Sequence, residues 1–263
     1  MRKMREKALR VVLPILTFAV IVGAWNYVGA KIEGFPTPGA TFSAMVEVFS
    51  NPFHTAEDGG TPGIMIQLLY SLGRVFSGFL IAAAVGIPVG LALGMSKKFY
   101  YAVDPYIQIL KPVSPLAWLP LVLFVFKDIT VTAIFVIFIT SIWPIIINTA
   151  LGVKSVNEDY INVARVFRFN SVEMVFKIIL PVAVPYIFTG MRLSLGTGWL
   201  VIVAAEMLTG GIGIGFWIWD EYNNLKYTSI IIGIMIVGVV GLVLDVLMGF
   251  IAGKFDYRKK GGR

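Results

Sequence analysis

Apolar residues in this chain fall into continuous runs rather than alternating positions, and short polar segments separate the runs. A helix needs about 20 apolar residues to cross a bilayer. By that measure six spans are predicted: Val11–Ala30, Ile64–Met95, Tyr101–Phe126, Ile129–Leu151, Tyr186–Leu208 and Thr228–Gly253. Backbone inside lipid must satisfy its own hydrogen bonds, which leaves helix bundles and closed barrels. Barrel strands alternate over segments of about ten residues. The runs here are unbroken, so the expected fold class is an all-α polytopic membrane protein.

Composition supports this. The 263 residues are 57% hydrophobic and 14% charged, against about 25% charged in soluble domains, and the mean hydropathy is +0.83. There is no cysteine and a single histidine, His54, in a polar segment. Disulfides and thiolate metal sites are excluded, no metal site is expected, and His-based acid–base chemistry has almost nothing to work with. The net charge of +7 follows topology rather than nucleic-acid binding. Lysines and arginines crowd the segment before the first span (Arg2 to Arg10), the second turn (Lys97, Lys98), the long polar loop (Lys154, Arg165, Arg168, Lys177) and the C-terminal end (Lys254 to Arg263). Basic residues favour the cytoplasmic side, so both termini are expected in the cytoplasm. The first run is too long for a signal peptide and no small-residue cleavage site comes after it.

The loop at 152–185 is longer than a simple connector. Ser155 and Glu158 have capping-box spacing, which puts a helix start near Asn157. Tyr160, Val163, Ala164 and Phe167 then recur at three- and four-residue intervals, with Arg165 and Arg168 off the stripe. Pro181 and Pro185 are expected to stop or kink the next helix. Such an amphipathic helix can lie on lipid, pack on its own spans, or dock into a partner's groove.

This segment resembles the coupling-helix region of permease subunits of type I ATP-binding-cassette importers, whose pattern reads E-A-A, three residues, G, nine residues, I-x-L-P. Anchoring on Ile178, Leu180 and Pro181 places the pattern's Gly at Arg168 and its E-A-A at Asn162, Val163 and Ala164. The last Ala and the I-x-L-P are kept; the Glu and the Gly are not. Within that family the chain is similar to the nitrate/sulfonate/taurine branch in five stretches: Lys111 to Leu121, Ile134 to Pro144, Pro185 to Arg192, Trp199 to Leu208, and Gly213 to Asp220. Nitrate permeases are nearest in wording and bicarbonate permeases next.

The resemblance implies a core at 64–253 containing the coupling loop, an N-terminal part at 1–63 with the first span and outer loop, and a basic tail at 254–263. It implies a second copy of the chain completing a homodimeric pore and two cytoplasmic ATPase subunits, which bind ATP and Mg. An extracytoplasmic binding protein would deliver the substrate. The coupling contacts would be Glu158, Asp159, Tyr160, Asn162, Val163, Ala164, Arg165, Phe167 and Arg168. No cofactor is expected in this chain, and no catalytic residue: it has no G-x-x-x-x-G-K-[ST] phosphate loop. The implied cargo is a small inorganic anion, nitrate or nitrite first, bicarbonate or an organosulfonate as alternatives. An ATP-independent transporter or channel is the reading from a different class, and inverted repeats that would support it are not seen.

Polar groups inside spans are costly and so point to function. Candidates for the pathway or gate are Lys111, Ser114, Pro115 and Trp118 in a proline-rich break, with Arg192 and Glu206 in the fifth span. Arg192 either snorkels or attracts an anion. Glu206 would repel an anion and is expected to be a structural or gating partner, with Arg74 as its counter-charge. Asp245 is expected to bond between helices. Gly78, Ala82, Gly86, Gly90 and Gly94 make a stripe for close helix packing, and Gly233, Gly241, Gly249 and Gly253 a similar one. The glycine-rich run Gly210–Gly215 has no strand before it, which excludes a dinucleotide loop.

Overall fold

The computed structural model describes residues 2–55 and 60–255, and every regular element among them is helical. The elements are α1 (Arg2–Lys31), α2 (Pro38–Val48), α3 (Ile64–Met95), α4 (Lys97–Leu110), a 3-10 turn (Pro115–Trp118), α5 (Leu119–Phe126) and α6 (Ile129–Lys154). Next come α7 (Glu158–Val166), a single turn α8 (Ser171–Glu173), a π-helical stretch (Met174–Ile179), α9 (Leu180–Thr209), α10 (Ile214–Asn223) and α11 (Tyr227–Phe255). Five helices are long and apolar enough to cross a membrane. The third span expected from the sequence is a broken pair: Lys97–Leu110 and Pro115–Phe126 are bent by 89°, and counting them as one crossing gives six. The prolines at 112, 115 and 120 cannot donate to a helical ladder, which is why the break falls there.

The chain divides into two compact units, Met1–Ile66 with Trp217–Ile236, and Gln67–Phe216 with Val237–Arg263. In the first, α1 is exposed along its apolar length, and the Trp25 indole donates to the Pro36 carbonyl at 2.8 Å, tying α1 to the approach to α2. Thr37 caps α2 by accepting from the Ala40 amide. Gly233 in α11 lets Ile218 and Trp217 close on the helix backbone.

The second unit holds the helical core. The glycine stripe of α3 packs on α6 as expected: an added Cβ at Gly78 would meet Ile137, at Gly86 Ile145, and at Gly90 Thr149. The pairs rise together along both helices, so α3 and α6 are parallel. Gly152 lies on Ala183, Gly190 on Pro144 and Ile145, and Gly198 on Ser141, so α9 runs antiparallel to α6. Ser194 Oγ donates to the Ser141 carbonyl at 2.5 Å, and Ser141 Oγ returns a bond to the Ser194 carbonyl. Small residues give close backbone approach, and hydroxyls join the helices where water is absent. Facing α11, α9 places Trp199 against Gly241, with the indole donating to the Val237 carbonyl at 2.9 Å. The ends of α3, α6 and α11 and the start of α9 therefore share one end of this unit.

Two expectations from the sequence change here. Pro181 and Pro185 do not interrupt the fifth span. Both lie in helix that continues without a break from the π-helical stretch Met174–Ile179 into α9. The capping box is not Ser155 with Glu158. Ser155 closes α6 by donating to the Gly152 carbonyl, Asn157 caps α7, and the reciprocal box is Asn170 with Glu173 one helix later.

Candidate functional site

The docking candidates lie on α7. It packs back on its own unit through Ala164, which is 1% exposed, and through Ile161, which joins the cluster of Val153, Val156, Ile179, Ala183 and Ile187. Ala164 thus faces its own unit. Tyr160, Val163 and Phe167 on the adjoining face are exposed, the last at 71%. Glu158, Asp159, Asn162 and Arg165 are exposed polar groups around them. The two acidic residues sit in the first turn and Arg165 in the last, the arrangement the helix dipole favours. Arg168 has φ 54, in the left-handed region. A residue with a Cβ is disfavoured there and glycine is not, which accounts for a Gly in the pattern at this place; here an arginine adopts that conformation.

The pathway candidates separate into three places. Lys111, at the end of α4, and Pro115 line a cavity of about 330 Å³ with Thr140, Trp143, Asn148, Leu193 and Thr197. The Lys111 ammonium makes no hydrogen bond or ion pair among the described residues. Ser114 and Trp118 flank the break but are not part of the lining. Arg192 is elsewhere, in an open groove of about 720 Å³ between α9 and α11. Its Nε and Nη2 both donate to the Asp245 carboxylate at 2.6 Å. Fork-to-fork pairing saturates the guanidinium face that would otherwise hold an oxyanion, so Arg192 is a paired charge, and Asp245 is the interhelical group the sequence suggested.

Glu206 is far from both and fully buried. Its carboxylate accepts from Arg74 Nη1 at 2.8 Å, from Ser71 Oγ at 2.8 Å and from the Gly215 amide at 3.0 Å. Gln67 Oε1 accepts from the Gly213 amide at 2.6 Å, the Ser71 hydroxyl accepts from the Ile214 amide at 2.9 Å, and Arg74 also donates to the Ile212 carbonyl. Gly210 and Gly211 hold positive φ, turning the loop so that its amides converge at the start of α10. A helix start with free amides attracts an anion, and here the chain supplies its own. The Arg74 counter-charge was expected; Gln67 and Ser71 were missed. The signal was present, because Gln67, Ser71 and Arg74 lie at i, i+4 and i+7, one polar stripe on an otherwise apolar span.

Comparison with known proteins agrees with this architecture. Residues 84–257 match the family described as "Binding-protein-dependent transport system inner membrane component". The nitrate import permease protein NrtB of Leptolyngbya laminosa is 45% identical over 94% of this chain and 89% of its own length. NrtB of Synechocystis sp. is 46% identical over 92% of this chain and 88% of its own. The bicarbonate transport system permease protein CmpB of Synechococcus elongatus is 42% identical over 93% and 89%. Among solved structures, an amino acid ABC transporter superposes with a TM-score of 0.62 at 17% identity, covering 81% of this chain and 98% of that one. An inward-facing MetNI methionine ABC transporter gives 0.60 at 16%, covering 73% and 95%; at these identities the likeness speaks for the fold. This chain belongs to the inner-membrane permease components of binding-protein-dependent ABC importers.

Proposed function

We propose that this chain is the membrane-spanning subunit of an ATP-driven importer of a small inorganic anion, with nitrate the first candidate. The observation that supports an anion is Lys111, an ammonium without a partner among the described residues, lining the cavity at the break between α4 and α5. Irregular backbone at membrane depth is tolerated where protein shields it or where it lines a cavity, and an ammonium there lowers the cost of bringing in a negative charge. Arg192, already paired with Asp245, contributes no net positive charge. Nitrate rests on the names of two similar relatives. Bicarbonate is the second reading, supported by a relative of nearly equal identity.

The remaining assembly follows the family. Two copies form the pathway, and two cytoplasmic ATPase subunits receive the exposed Tyr160, Val163 and Phe167 face of α7. ATP and Mg stay on those subunits, and a binding protein docks on the opposite side. Both termini are cytoplasmic. The Glu206 cluster holds the loop before α10 in place and takes no part in binding the anion.

The test is uptake by the complete complex reconstituted in proteoliposomes with its binding protein. Nitrate accumulation that requires ATP and drops severalfold in Lys111→Gln is expected. ATP-dependent accumulation of bicarbonate alone would transfer the substrate assignment to bicarbonate. Uptake indifferent to ATP would sink the importer reading.

A further inference from the structure

Helix α4 carries a polar stripe outside the docking face of α7. Tyr100, Asp104, Gln108 and Lys111 succeed one another at three- and four-residue spacing, so they share one face. That face, with α6, encloses a second concavity of about 160 Å³. Its far end is Lys154, the last residue of α6, and Lys111 lines this space as well as the 330 Å³ cavity. Lys154 Nζ lies 3.7 Å from the centre of the Tyr100 ring. An aromatic face holds an ammonium without cancelling its charge, so Lys154 is positioned yet still able to attract an anion. Gln108 Nε2 donates to Asp104 Oδ1 at 3.4 Å, and the stripe with Lys154 holds two ammonium groups and one carboxylate.

We propose that this face of α4 and Lys154 of α6 form an anion release track within one chain, on which the cargo passes from Lys111 toward Lys154. The proposal rests on the anion-importer reading and adds Lys154 and Asp104 as rate-setting residues. Conduction needs sites attractive enough to enter and weak enough to leave. Lys154 supplies the second attraction, and Asp104, between the two lysines along the stripe, keeps either from becoming a trap.

Uptake is measured with the complete complex in proteoliposomes, using whichever of nitrate and bicarbonate the unmodified complex accumulates, after co-purification confirms that each variant assembles. Lys154→Gln is expected to lower the maximal rate about three- to tenfold, as for one partly screened charge beside the path, and Lys154→Arg to restore most of it. Asp104→Asn is expected to lower both the maximal rate and the KM, because release slows as retention tightens. Lys154→Gln at the unmodified rate overturns the track, and so does equal impairment of Lys154→Gln and Lys154→Arg, which would mark a packing role. These results leave the importer reading standing. If the unmodified complex accumulates neither anion and carries a neutral or cationic solute instead, both fall together.

Discussion

Arg168 holds a backbone conformation that its side chain makes unfavourable. Left-handed φ costs a residue with a Cβ about 1–2 kcal/mol, and glycine loses about 0.5–1 kcal/mol through its freer unfolded chain. Arg168→Gly should therefore stabilise the protein by roughly 0.5–1 kcal/mol, seen as a higher melting temperature of the detergent-solubilised chain, while Arg168→Val should lower it. An unchanged melting temperature in both would mean the turn is not held left-handed. Glu206 is the opposite case, a charge whose environment is complete. Glu206→Gln keeps the shape but leaves the Arg74 guanidinium, 5% exposed, without its counter-charge. Removing one partner of a buried pair costs about 3–5 kcal/mol. The double variant with Arg74→Met should be less destabilised than the two single changes predict together; simple additivity would show that the pair is not coupled.

At the scale of elements, the contact between α3 and α6 depends on what a glycine leaves out. A Cβ at Gly90 would sit 2.6 Å from Thr149 Cβ and 2.8 Å from the Ile146 carbonyl. Gly90→Ala should destabilise by about 1–3 kcal/mol, the range for overpacking. Gly73, on the same helix with open space around it, should gain from the same change by up to about 1 kcal/mol of helix propensity. Thermal unfolding of both variants separates packing from propensity, and a like response at the two positions would contradict the close approach. In α7, burial divides the candidates: Ala164→Asp should unfold the loop, whereas Tyr160→Asp and Phe167→Asp should leave the chain folded and remove the co-purifying ATPase. Retention of the ATPase by both exposed-face variants would move the docking surface elsewhere.

For the whole molecule, the parallel run of α3 and α6 with the antiparallel α9 fixes which ends lie together within the second unit. Lys98 therefore belongs with the start of α9, and Thr209 with the opposite end. In the proposed orientation, which follows the distribution of basic residues, the first of these ends is the cytoplasmic one. Because the chain has no cysteine, single introduced cysteines report this directly. Lys98→Cys should react with an impermeant maleimide only in inverted membrane vesicles, and Thr209→Cys only in right-side-out vesicles. The reverse pattern would invert the orientation.

Hydropathy alone determined the fold class and the approximate spans, because lipid forces each crossing to be apolar and helical whatever its neighbours do. The loop helix was legible from its period, and the α3 glycine stripe from its four-residue spacing. Local chemistry did not reveal where the charges go. Arg192 and Asp245 are 53 positions apart and Arg74 and Glu206 are 132 apart, and the sequence offered several partners for each. Only packing showed that Arg192 is neutralised, that Lys111 has no partner among the described residues, and that Ala164 turns inward. Pairing depends on which helix faces which, a long-range property that periodicity within one helix does not carry. The same holds for the 210–215 loop: its glycines announce a turn, but the carboxylate that fills it is set by the antiparallel fit of α9 against α3 and α6.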